Sequence, residues 1–226
     1  MTTPAPTDPA TGIPYTVRRS DRARRVRVSV AEDGAVEVVL PRRAPEREAA
    51  AAIAGFRPWI ERRRAQAARA RDAVRARGAT VPYLGAALRL VPQPGRRRAH
   101  RNGEALLVPA GDHLPALERW YRAQARREVA ARLDAATARA GTRYASLSIR
   151  GQRTRWASCS AKGAMSFNWR LMLAPEEVLD YVVWHEVCHL EVLDHSPRFW
   201  ALLERRCPGY RAPKAWLRRE GATLVL

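Results

Sequence analysis

With 226 residues and 46% hydrophobic content, the chain is long enough to bury a core as one domain, or as one domain plus a small lobe, and general disorder is excluded. Its net charge of +19 comes from 41 basic and 22 acidic residues; nearly all the bases are arginine, and Lys162 and Lys214 are the only lysines. No apolar run approaches a membrane span, and three cysteines without a disulfide-framework spacing, Cys159, Cys188 and Cys207, favour a reducing, cytoplasmic setting.

Residues 1–13 are rich in Pro, Thr and Ala, with neither a basic start nor an apolar stretch, and read as a flexible tail rather than a signal peptide. Residues 14–110 read as an N-terminal β-rich part with one helix. Val26–Val30 and Val36–Leu40 flank Glu32-Asp33-Gly34 as a hairpin, and Pro41 ends it. Pro45 to about Arg77 has helical composition, with Ala49, Ala52, Ile53, Phe56 and Ile60 as its apolar stripe and a break or kink expected at Pro58. Leu88–Val91 and Ala105–Val108 follow as a second strand pair around the basic loop Arg96–Arg98.

Charge is uneven along the chain. Residues 1–110 hold 22 basic and 10 acidic side chains, net +12, whereas residues 111–226 hold 19 and 12, net +7. The densest run, Arg18–Arg27, has six arginines in ten residues. It reads either as a solvated face or as a surface for nucleic acid or acidic polypeptide, since arginine forks suit phosphate and carboxylate. Six bases and no acid lie in Arg143–Arg170, while seven acids face one base in Glu176–Glu204, so these two segments are expected to be able to pair within the fold.

Residues 111–226 read as an α+β domain. A long helix runs from Leu114 to Arg139, with Leu117, Trp120, Tyr121, Ala125, Val129 and Leu133 at helical spacing, and Gly141 stops it. Leu147–Ile149, Thr154–Ser158 and Met165–Trp169 are three short strands. The alternation puts Met165, Phe167 and Trp169 on a core face and Ala164, Ser166 and Asn168 on a face near solvent or substrate. Pro175 then opens a helix made apolar over most of its circumference by Val178, Leu179, Val182, Val183, Trp184, Val187, Leu190 and Leu193, which marks it as buried.

That helix carries the sharpest chemical signal, because His185, His189 and His195 are three of only five histidines in the chain. Residues four apart share a helix face, so His185 and His189 can offer two imidazole nitrogens to one metal ion. Glu186 sits one position round, where it can accept a proton from water activated by such an ion, as the glutamate of H-E-x-x-H does. A helix continued to His195 would turn that residue some 240° away from the metal face, so the helix must stop first. Ser196-Pro197 supplies the restart of a second helix and leaves His195 in the turn as third ligand. Glu204 and Glu220, on following segments, are the rival third ligands. Cys188 reads as a packed small hydrophobe, with a thiolate ligand as the alternative. Buried imidazoles and a buried carboxylate need partners, and one zinc ion with its water satisfies them together.

A longer ordered series surrounds these histidines: Arg155-Trp156-Ala157-Ser158-Cys159-Ser160, Phe167-Asn168-Trp169-Arg170-Leu171, Val178-Leu179-Asp180-Tyr181-Val182-Val183, and His195-Ser196-Pro197-Arg198-Phe199-Trp200. From about Tyr15 to Glu220, and most densely over 144–220, the chain resembles the YgjP-like metallopeptidase family, related to the SprT and Spartan zinc proteases. The resemblance implies an α+β zincin-like domain with a central H-E-x-x-H helix and a small antiparallel sheet, preceded by a smaller β-containing part. It also implies one zinc ion on His185, His189 and His195, with Glu186 as catalytic base acting on a polypeptide substrate. The chain departs from the family at Ala157, where Gly is usual, and at Asp194, where Asn is common.

In related zincins a strand before the metal helix pairs with extended substrate. Trp156, Ala157, Ser158 and Asn168 are therefore the candidate substrate-binding residues, with an ordinary core strand as the alternative. Tyr181 and Tyr210 are candidates for oxyanion support. A second reading of the whole chain is a nucleic-acid-associated protein, or a DNA-linked protease, that binds DNA or RNA through its arginine-rich face.

Overall fold

A computed structural model describes residues 12–152 and 154–226, and their packing separates a unit ending at Ala76 from a second running from Arg77 to Leu226. The strand pair expected over residues 88–108 falls in the second unit, whereas composition and pattern place a boundary after residue 110. The reason is packing: Val81, Tyr83, Leu88, Leu106 and Val108 share a core with Trp120 and Tyr121 of the long helix.

The first unit is a three-stranded sheet with a helix. β1 (Thr16–Ser20) runs parallel to β3 (Val36–Pro41), and β2 (Arg27–Val30) pairs with β3 antiparallel, as the hairpin pattern requires. β1 escapes the sequence pattern because Arg18 and Arg19 interrupt any apolar alternation. Most of the expected tail, residues 1–11, lies outside the described residues. Ile13, at its end, is instead buried with Tyr15, Val36, Val38 and Leu40.

α1 (Arg47–Arg77) is continuous through Pro58, so of the expected break or kink the break does not occur. Pro58 and Ala54 are both exposed, so water can satisfy the Ala54 carbonyl that loses its helical donor. Ala49, Ile53 and Ile60 are buried, but Phe56 is 52% exposed and leaves the expected stripe. Arg18, Arg19, Arg22, Arg24, Arg25 and Arg27 all reach solvent. Arg18 pairs with Glu37 at 3.0 Å, and Arg19 donates to the carbonyls of Arg42 and Ala44.

In the second unit, β4 (Thr80–Tyr83), β5 (Ala86–Gln93), β6 (His100–Asn102) and β7 (Ala105–Pro109) form a sheet in the order β4-β5-β7-β6. β5 and β7 pair in parallel, because β6 reverses the chain before β7 through a turn at Gly103 with φ +59°. α2 (Leu114–Ala140) ends as expected at Gly141, whose φ of 65° suits a residue without a Cβ.

The second sheet of this unit holds β8 (Ser146–Arg150), β10 (Ala164–Asn168) and β9 (Ala157–Cys159), in that order. It is mixed rather than antiparallel. β9 and β10 form a hairpin, but the chain crosses over between β8 and β9, so β8 and β10 run parallel. Met165, Phe167 and Trp169 are buried as the alternation requires, and Trp169 packs on Tyr121 of α2 at a ring distance of 5.8 Å.

α3 (Glu176–Cys188), α4 (Pro197–Arg206) and α5 (Arg211–Glu220) complete the unit. Arg132 fastens α2 to α3, taking Asp180 at 2.8 Å together with Glu128 and Glu176. Among the described residues, the ion pairs of Glu176, Asp180, Glu191 and Glu204 run to Arg132, Arg206 and Arg211 rather than to the basic segment 143–170, with which charge alone would have let them pair. No helix among the described residues is long and apolar enough to cross a membrane.

Candidate metal centre

α3 ends at Cys188, and His189 caps it; the chain then turns through residues 190–196 before α4 starts at Pro197. Stopping the helix there lets His195 fold back over its last turn, as the spacing argument required. Ser196 occupies the N-cap position but makes no side-chain cap. The turn is held instead by Asp194, whose carboxylate accepts from the Ser196 amide at 2.9 Å and is kept below the usual carboxylate range by the Ser196 side chain and, after it, by that amide. An Asn side chain could accept the same bond, so the Asp194 departure leaves the turn intact.

The three imidazoles converge through Nε2. His185 Nε2 lies 3.2 Å from His189 Nε2 and 3.0 Å from His195 Nε2. A carbonyl only accepts, so His189 Nδ1, 2.9 Å from the Val192 oxygen, must be the donor, and a neutral His189 turns a lone pair on Nε2 toward the cluster. Phe199 of α4 is fully buried beneath all three rings, at 4.5 Å from His189 and 4.9 Å from both His185 and His195. Trp200 stacks on His195 at 5.6 Å. Among the described residues, these histidines are the group able to offer a metal ion three ligand atoms at once.

Burial pushes His185 down to about 3, with the neighbouring His189 and His195 adding to the effect, so its ring is neutral near pH 7. Glu186 is 4% exposed, and burial pushes its carboxyl up to about 8. The Cys159 backbone amide donates to that carboxylate and opposes the shift, while Oε2 is buried without a hydrogen-bond partner. A cation on the histidines would draw the carboxyl back toward its charged form.

β9 supplies this amide because of its register. Asn168 N donates to Trp156 O at 2.7 Å and Ser160 N to Ala164 O at 2.9 Å, so these two residues face β10. Alternation turns the backbone groups of Ala157 and Cys159 to the other edge, the one that meets Glu186. β9 is an edge strand, shorter and later in sequence than the expected Thr154–Ser158.

Trp156, Ala157 and Ser158 are partly exposed on or beside this edge. Asn168, expected on a face near solvent or substrate, is turned away from solvent at 3% exposure. Its Nδ2 donates to Gln152 O at 2.7 Å, and its Oδ1 accepts from Arg170 N, so it braces the loop before β9. Its neighbour Trp169 opens a 3-10 turn that pulls the end of β10 into the core.

The rival ligands are engaged elsewhere. Glu204 pairs with Arg211 at 2.6 Å and Glu220 with Arg219 at 2.7 Å. Cys188 is fully buried, and burial raises its thiol. Leu193, expected on the buried helix, lies in the turn and is 61% exposed because the helix has already ended. Tyr181 and Tyr210 stack at 6.2 Å beside the cluster, with Tyr181 5.9 Å from the His185 ring. The roles of Phe199 and Cys159 escaped sequence reasoning: Phe199 acts by shape and Cys159 through its backbone.

Convergent imidazoles at the end of a buried helix, beside a buried carboxylate in a mixed α+β unit, are a donor set that could hold a metal ion, as a metallopeptidase requires. A family model described as "YgjP-like, metallopeptidase domain" matches residues 24–220, and the chain belongs to that family; it is a hydrolase whose class works with a metal ion on polypeptides. Among solved structures, the crystal structure of the metallopeptidase zymogen of Pyrococcus abyssi abylysin is similar at 28% identity, covering 41% of this chain and 92% of that one, with a TM-score of 0.36. No curated protein matches the chain.

Proposed function

We propose that the chain is a zinc-dependent peptidase in which His185, His189 and His195 hold one zinc ion and Glu186 is the general base. The observation that carries this reading is the convergence of the three Nε2 atoms beside the unpartnered Glu186 Oε2. The donor set fits: ligand nitrogens about 2.0–2.1 Å from a tetrahedral ion lie roughly 3.3 Å apart, close to the spacings of 3.0 and 3.2 Å, and three imidazoles leave a fourth position open. When bound, zinc would supply Lewis-acid polarisation of the scissile carbonyl and a water acidic enough to be deprotonated near neutral pH.

Glu186 Oε2 takes the proton of the attacking water and returns it to the leaving amine, while the Cys159 amide fixes the other carboxylate oxygen. His189 keeps its lone pair on the cluster through Val192 O. The outward edge of β9 aligns an extended substrate by adding it as a strand beside Ala157, with Trp156 and Ser158 flanking it and Asn168 bracing the loop behind. The three free cysteines support a reducing, cytoplasmic setting. The test is metal analysis with a peptide-library digest: one zinc per chain and chelator-sensitive cleavage are expected, and metal-free protein that cleaves equally well would end this reading.

A second reading draws on the six exposed arginines between Arg18 and Arg27, which would let the first unit track a phosphate backbone. DNA retention that falls steeply with salt is its expected signature. Unchanged DNA mobility at low salt would remove it.

A further inference from the structure

Lys214 is one of two lysines in a chain that otherwise uses arginine, and it stands on α5 beside the histidine cluster. Its Nζ lies 3.7 Å from the centre of the Trp200 ring and 5.9 Å from that of Tyr210. Trp200 stacks in turn on His195 at 5.6 Å, so the ammonium is at most about three residues of extended chain from that ring.

A fixed positive charge this close weakens the binding of a cation by the histidines, so packing of the triad does not account for it. Among the described residues no carboxylate forms an ion pair with Lys214, whereas Glu204 and Glu220 are each held by an arginine. Lys214 is exposed, and the aromatic face under it limits where the ammonium can go. Its charge is therefore available to an anionic group entering from solvent near the exposed His195.

We infer that Lys214 is a specificity-determining residue that binds a carboxylate of the substrate close to the scissile bond. The carboxylate comes either from an Asp or Glu side chain or from the substrate's own C-terminus. The inference rests on the peptidase reading. A charge-assisted contact of this kind corresponds to about ten- to hundred-fold in preference.

Two pairs of short fluorescent peptides separate the sources. One pair differs as Glu against Gln beside the scissile bond with an amidated C-terminus; the other carries a free or an amidated C-terminus on a neutral sequence. For the pair that supplies the recognised carboxylate, the acidic member is expected to show at least a ten-fold higher kcat/KM, chiefly through KM. Lys214→Gln is expected to bring the ratio near one, and Lys214→Arg to restore most of it. Wild-type ratios near one in both pairs, or a ratio unmoved by Lys214→Gln, would overturn the inference. Binding of the same peptides to Glu186→Gln and to Glu186→Gln/Lys214→Gln, followed by anisotropy, separates the two readings. A binding preference lost with Lys214 while no peptide is cleaved by wild type would sustain Lys214 and remove the peptidase; equal binding by both variants would remove Lys214.

Discussion

Glu186→Gln is expected to keep one zinc per chain while losing peptide turnover by about 10²–10⁴-fold, the usual contribution of a positioned general base. The substitution is nearly isosteric at a site with 4% exposure, and the Gln oxygen can still accept from the Cys159 amide. What disappears is the basic oxygen at Oε2, which has no hydrogen-bond partner among the described residues. Zinc content by mass spectrometry and turnover on the same preparation decide the matter. A variant that keeps both zinc and wild-type turnover would show that the base lies elsewhere. One that loses zinc would make Glu186 a ligand rather than a base.

His189→Ala is expected to weaken zinc binding by more than about 100-fold and to abolish the metal-dependent rise in Tm, since even outer-shell changes at such sites cost 10–100-fold. At free zinc 100 times the Kd, binding stabilises the folded state by about 2.7 kcal/mol, and this increment should vanish in a calorimetric scan. His189 carries the largest effect because it is buried, stacks on Phe199 and takes its tautomer from Val192 O. His195→Ala should weaken zinc in the same direction. Glu204→Gln should not, because Arg211 already holds that carboxylate. Zinc lost on Glu204→Gln but retained on His195→Ala would reassign the third ligand.

The histidine cluster was legible in the sequence because its logic is local. Four residues is one helical turn, and six more with a Ser-Pro restart permit one return to the same point. α2 and the buried Met165, Phe167 and Trp169 were legible for the same reason, since each periodicity is read within a single element. That the helix does not break at Pro58 was not legible, because the tolerance of proline in a helix depends on whether the freed carbonyl meets water, and only the exposure of Ala54 shows that it does. The burial of Asn168 was not legible, because alternation assigns a face without saying what covers it.

The sequence by itself determined the spacing of the imidazoles, the carboxylate between them and the point where the helix must end, because short-range helix geometry leaves few alternatives. Only the tertiary structure decided that β8 and β10 run parallel, that the β9 edge turns toward Glu186, that Phe199 lies under the three rings and that Lys214 stands beside them. Those relations join segments distant in sequence, where neither period nor propensity acts and packing alone selects the neighbour.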